Sequence, residues 1–255
     1  MLMRAMTQTT VVSLGGWCRP AWHIRRATPQ TRGYPFDWHI TSYRALIAVL
    51  DPSFDPMAAL KPEDCFINQF GSITDGASGW IDQHNLSADK FDRDGDGIAW
   101  TDRTAAALDH ARERSAFLIE RFRSDCQTMP MTFVRWIRHG LVDGEWNEAF
   151  EGEDAWAVKA ALERLCAHPP RLLYVMSEHL DGPDVREYIK VTQAPWGDAL
   201  TIGEPTRRFF PEDLWTGDNE AWDQVFEHIA GHPEVGSNPA EKLDVAPERE
   251  LVAVV

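Results

Sequence analysis

Long hydrophobic runs are missing from these 255 residues. No stretch approaches the ~18 uncharged apolar residues of a membrane span. Met1 to Thr10 also lacks the apolar core of a secretory leader. Cysteine is scarce: Cys18, Cys65, Cys126 and Cys166 lie far apart, with no CxxC and no paired Cys/His spacing. That disfavours a structural zinc site and fits free thiols in a reducing, cytoplasmic setting. Positive charge is short too. With a formal net charge of −15, duplex nucleic acid is not an expected partner, because its binding rests on neutralising phosphates. Internal repeats and low-complexity linkers are absent as well.

What is present is a globular composition, 44% hydrophobic. It suits a single domain over residues 1–230 followed by a loosely packed tail, 231–255, with Pro233, Pro239 and Pro247. Eleven tryptophans are more than a core readily absorbs, so some should line a cleft. Charge is unevenly spread. Met1 to Leu50 holds Arg4, Arg19, Arg25, Arg26, Arg32 and Arg44 against Asp37 alone, a local balance of +5 that leaves −20 for the remainder. Such a segment either draws an anionic small-molecule or peptide substrate or pairs with acids elsewhere on the fold.

Helix and strand signals alternate. The β-branched run Thr9 to Val12 leads into Gly15-Gly16, and a helix is expected over Cys18 to Ala27. Thr41-Ser42 is an N-cap pair for the periodic Tyr43, Leu46, Ile47 and Leu50. A strand is expected at Cys65 to Phe70, then a long loop from Gly71 to Asp96. A long helix follows from Asp102 to Arg123, with Leu108, Ala111, Ser115, Leu118 and Phe122 on its inner face. Met131 to Trp136 and Arg171 to Met176 are strand-like, as is Glu187 to Thr192. Helices run from Asp154 to Ala167 and after Asp218. Strands separated by helices predict an α/β layered fold with a largely parallel central sheet flanked by helices. In such sheets the functional crevice lies beyond the carboxyl ends of the strands. Three of those ends carry Gly15, Gly16 and Cys18; Arg135, Arg138 and His139; and Ser177, Glu178 and His179.

Cys18 sits where a strand turns into a helix. The positive end of the helix dipole and the unpaired N–H groups there favour a thiolate, the nucleophilic form. A small buried cysteine closing the packing joint is the alternative. The stretches Ser13-Leu14-Gly15-Gly16-Trp17-Cys18, His23-Ile24-Arg25-Arg26 and Pro35-Phe36-Asp37-Trp38 resemble the DUF1796 family of bacterial proteins, described as papain-like cysteine peptidases. The resemblance implies cysteine-dependent hydrolysis or acyl transfer, and it makes a papain-like α+β arrangement the alternative fold. It also implies a histidine in the loop before the Arg-rich helix, often followed by Asp-Phe. Here His84 is followed by Asn85-Leu86.

Cysteine catalysis needs a nucleophile, a base with an orienting group, and oxyanion donors. Cys18 is the candidate nucleophile and His84 the candidate base, with His179 as rival and His23 and His39 behind them. Asp37 would orient the imidazole, position an arginine or act as a structural turn carboxylate. Gly15, Gly16, Trp17, Arg19, Arg135 and His179 are the candidate substrate-binding residues, with the backbone N–H groups of Trp17 and Cys18 as oxyanion donors. No cofactor is implied. A second reading keeps the Gly-rich turn, Arg19, Arg25 and Arg135 as a non-covalent site for a phosphate or carboxylate, such as that of a sugar phosphate. Asp92-Arg93-Asp94-Gly95-Asp96-Gly97 spaces its carboxylates like the opening of a calcium loop, but Arg103 stands where the closing Glu belongs. The remaining arginine cluster, Arg112, Arg114, Arg121 and Arg123, reads as a solvated, salt-bridged helix face.

Overall fold

Strand alternation decides the architecture. In the computed structural model, Val11, Val134, Trp136, Leu173 and Val175 face one side of a sheet. Val12, Phe133, Leu172 and Tyr174 face the other. The structure describes residues 10–16, 18–28, 32–37, 41–69, 71–81, 85–138, 154–180, 185, 188–205 and 218–231, with backbone only at 138, 178–180 and 204–205. The strands are β1 (Thr10–Ser13), β2 (Cys65–Ile67), β3 (Ile73–Asp75), β4 (Asp92–Asp94), β5 (Gly97–Ala99), β6 (Met131–Arg138), β7 (Arg171–Leu180), β8 (Ile189–Ala194) and β9 (Gly197–Pro205). The helices are α1 (Arg19–Ala27), α2 (Tyr43–Leu50), α3 (Asp102–Thr128), α4 (Ala155–Leu165) and α5 (Asn219–Gly231).

The main sheet has the order β1-β6-β7-β9-β8. Its first four strands run parallel, and only β8 pairs antiparallel. Helices α2, α3 and α4 contribute Leu46, Phe122 and Leu162 to the core on one face. Helices α1 and α5 cover the other with Ile24, Trp222, Val225 and Phe226. This is the layered α/β arrangement that the sequence pattern predicts. Strands buried on both faces read as continuous apolar runs, which is why β6 and β7 are visible in the sequence.

A third core lies under the first half of α3, built from Leu60, Ile73, Trp80, Leu86, Phe91 and Leu108. The stretch 71–96 is therefore not a plain loop. It contains β3, which pairs with β2, and most of the β4–β5 hairpin. Three-residue strands are too short to show a period. Buried Asp75 organises this region by accepting from Leu60 N at 3.1 Å and Ser78 N at 2.8 Å. It holds Leu60 in the left-handed conformation, φ 57°, which costs an L-residue ~1–2 kcal/mol. The calcium-like segment is the β4–β5 hairpin itself. Gly95, φ 58°, opens a two-residue turn of the kind that needs a positive φ there. Asp92 is taken by Arg103 at 2.8 Å and Thr101 at 2.6 Å. Among the described residues no three metal-ligating side chains converge.

Boundaries moved where local pattern is weak. Helix α3 runs on to Thr128 because Asp125 and Cys126 are buried on its inner face. Strand β9 was hidden behind Trp196-Gly197, and the strand expected at Glu187 starts at Ile189. Of the four α3 arginines Arg114 is exposed and Arg112 pairs with Asp109, as a solvated, salt-bridged face predicts, but three of them also reach loops. Arg112 donates to the carbonyls of Ala59 and Leu60, Arg121 to that of Gly33, and Arg123 to those of Asp51 and Phe54. They tie three loops to α3 through backbone carbonyls. The expected tail beyond Gly231 lies outside the described residues.

Candidate functional site

Two glycines shape the carboxyl end of β1. Gly15 and Gly16 have φ of 73° and 93°, conformations that L side chains rarely adopt. Space requires glycine as well. A Cβ on Gly15 would lie 2.6 Å from Thr41 Oγ1, and one on Gly16 would overlap the carbonyl oxygen of Trp136. The Gly15 N–H is held by Ser13 Oγ at 3.0 Å. The turn therefore lies flat against the end of β6, and Cys18 emerges as the N-cap of α1, with no side-chain capping bond.

The thiol is not in the expected state. Cys18 is 8% exposed, and burial pushes it up to about 11 while its own backbone N–H pulls the other way. Raising it from 9.0 to about 11 favours the protonated form by a further ~3 kcal/mol. The stabilisation offered by a helix start is real but smaller than the desolvation of a sulfur anion at this joint. The resting thiol is neutral at pH 7.

The three strand ends do come together. Arg135, at 0% exposure, donates from Nη1 to the Leu14 carbonyl at 2.9 Å. Arg19, at 2% exposure, lies with its guanidinium 4.5 Å from the Trp136 ring centroid. Its Nη1 reaches Ser177 Oγ at 3.4 Å, and Trp136 Nε1 donates to the same oxygen at 3.0 Å. Two guanidinium groups are thus buried around the turn that presents Cys18. The flanking arginines behave differently: Arg25 bonds Asp37, Arg26 bonds Asp223, Arg32 bonds Asp125 and Arg44 bonds the Ala77 carbonyl. Pairing with acids elsewhere on the fold therefore holds for Arg26 and Arg32, while Arg25 pairs within the segment and Arg44 bonds a carbonyl.

The second motif is a clamp. Asp37 accepts from Tyr34 N at 2.9 Å and Arg25 Nη2 at 3.3 Å, so the turn is tied to α1. Burial pushes Asp37 up to about 6, and the Tyr34 N–H and Arg25 oppose the shift. On the α3 side Asp125 holds Arg32 with both oxygens, at 2.9 Å each, and accepts from Tyr34 OH at 2.9 Å. Of the roles considered for Asp37, arginine positioning and turn closure are those its hydrogen bonds display.

Among the histidines, His23 is fully buried and stacks on Trp222, centroids 4.5 Å apart and planes 9° apart. It belongs to the core between α1 and α5. Trp17, His39, His84 and His139 lie outside the described residues, as does the His179 side chain. Ser13, Thr41 and Trp136 also belong to the site, although in the sequence they read only as a motif residue, half of an N-cap pair and a strand end. Thr41 is fully buried beside Gly15, and its hydroxyl makes no hydrogen bond among the described residues. Strand alternation could have revealed Trp136, since it must face opposite to Arg135. The local N-cap signal at Thr41-Ser42 belongs to Ser42, which caps α2, and nothing local points Thr41 at the glycine turn.

Residues 9–94 match the family "Putative papain-like cysteine peptidase (DUF1796)". The DUF1796 match covers the glycine turn, Cys18, α1 and the Tyr34–Asp37 clamp, and it stops before α3. Arg135, Trp136 and Ser177 lie beyond it. No curated protein and no solved structure matches the chain. No helix among the described residues is long and apolar enough to cross a membrane.

Proposed function

We propose that this chain is a cysteine-dependent hydrolase or acyltransferase acting on a small or peptide substrate that carries an anionic group. The observation that carries this reading is the place of Cys18. It caps α1 at the carboxyl end of β1, where three strand ends meet, within the DUF1796 match. A neutral thiol calls for general-base assistance rather than a standing ion pair. The base, His84 or His179, takes the proton as the Cys18 sulfur attacks the carbonyl carbon. The proton then goes to the leaving group, and water or a second nucleophile releases the acyl group. The scheme assigns oxyanion donation to the backbone N–H groups of Trp17 and Cys18, and attraction of the anionic group to Arg19 and Arg135.

A panel of ester, thioester and amide reporters, with and without a carboxylate, tests the reading. We expect turnover that Cys18→Ser abolishes, and a preference for the anionic members. Alkylation of Cys18 by iodoacetamide should rise with pH through about 11. Equal turnover by Cys18→Ser would sink the proposal. The buried pair Arg19 and Arg135 also favours a second reading, non-covalent binding of a phosphate or carboxylate. In that case Cys18→Ser retains calorimetric binding of a sugar phosphate and no reporter is turned over.

A further inference from the structure

The proposed chemistry leaves Cys126 and Cys166 unused. They lie 40 positions apart in the sequence, at the carboxyl ends of α3 and α4. Cys126 is fully buried in the core, and the half-buried Cys166 packs against it. Cys166 is close enough to act directly on the Cys126 thiol. The backbone brings them together: Ala167 N donates to the Cys126 carbonyl at 3.0 Å, and Gln127 Nε2 donates to the Leu165 carbonyl at 2.7 Å. Bond lengths on either side of the first of these limit the Cα–Cα separation to about 8 Å. That limit includes the ~4.4–6.8 Å that a disulfide spans. Next to Cys126, Asp125 holds Arg32 and Tyr34, so a cross-link here would stiffen the anchor of the Tyr34–Asp37 turn.

We propose that Cys126 and Cys166 form a reversible dithiol–disulfide site, oxidised by a low-molecular-weight disulfide and joining α3 to α4. Cys166, the more accessible sulfur, attacks one sulfur of the small disulfide as a thiolate, and one small thiolate leaves. Cys126 gives up its proton and attacks Cys166 Sγ, which expels the second. The protein loses two electrons and two protons, and the small disulfide becomes two thiols. The hydrogen bond to Cys166, then burial, raise the Cys126 thiol above its ordinary range. In the second step Cys166 is already bonded to the small thiol, so burial is the cause that still disfavours the Cys126 thiolate and slows its attack.

The full chain is equilibrated in glutathione buffers from fully reduced to fully oxidised. We expect the intact mass to fall by two hydrogens and two of the four cysteines to become unreactive to alkylation after denaturation. A peptide linking Cys126 to Cys166 should appear, and Tm should rise by roughly 5–10 °C for a ring of about 40 residues. Excess reduced glutathione reverses all of these. Cys166→Ser, at a half-buried position, should abolish the cross-link, and Cys65→Ser should retain it. Four alkylatable thiols in every buffer, a glutathione adduct on Cys166 that Cys126 never displaces, or a cross-link through Cys18 or Cys65 would each overturn the proposal.

Discussion

Burial outweighs local electrostatics at the two residues that matter most. Cys18 has the helix start that favours an anion, yet the sulfur is desolvated and stays protonated. Asp37 has an arginine and a backbone donor, yet its value lies at about 6 rather than the ordinary 3.8. Ionising Asp37 is harder in the fold than in the unfolded chain. Its protonated form therefore stabilises the native state fully below about pH 4, and that contribution fades as pH rises through about 6. The span is worth ~3 kcal/mol. Asp37→Asn removes the titration, so the Tm of the wild type minus that of the variant should be larger at pH 4 than at pH 7. A difference independent of pH would show that Asp37 is ionised as easily in the fold as outside it. The residue types of the site were legible in the sequence. Their ionisation was not, because it depends on water excluded by segments distant in the chain.

Among the elements, the β1–α1 turn is held by the next strand rather than by its own sequence. Gly16 must keep φ 93° and lie directly on the Trp136 carbonyl. Gly16→Ala meets both obstacles, and the obstructing atom is backbone, which cannot swing away. We expect a loss of at least ~3 kcal/mol, read as a fall in the urea midpoint together with loss of reactivity at Cys18. An unchanged midpoint would mean that the turn can be rebuilt without the close approach. The two glycines could be read from the sequence as a turn. That the turn abuts β6, more than a hundred residues later, follows from parallel pairing in which Leu14 N bonds the Val134 carbonyl at 2.8 Å. The short strands β3 to β5 are not visible in the sequence for the opposite reason: three residues are too few to show a period, and the core under α3 holds them in place; β2 is expected there, but over Cys65 to Phe70 rather than Cys65–Ile67.

Across the molecule, α5 closes the sheet face that α1 leaves open. Trp222 is fully buried there, against His23 of α1, and α5 is tethered by His228 to Asp198, which Arg171 also holds. Trp222→Ala leaves a large cavity between two helices and the sheet, at a cost of ~3–5 kcal/mol. Chemical denaturation should show that loss, and a loss below ~1 kcal/mol would mean that α1 and α5 collapse onto each other freely. The sequence alone determined the layered α/β class, the main helices, the parallel strands β1, β6 and β7, and the segment carrying Cys18. All of these rest on apolar spacing and turn residues, which act over a few neighbouring positions. Tertiary structure alone decided that Arg19 is buried between Trp136 and Ser177, that the Cys18 thiol is neutral, that Arg112, Arg121 and Arg123 serve loop carbonyls, and that Cys126 meets Cys166. Each depends on desolvation or on contacts between residues far apart in the chain, and a local pattern carries no record of either.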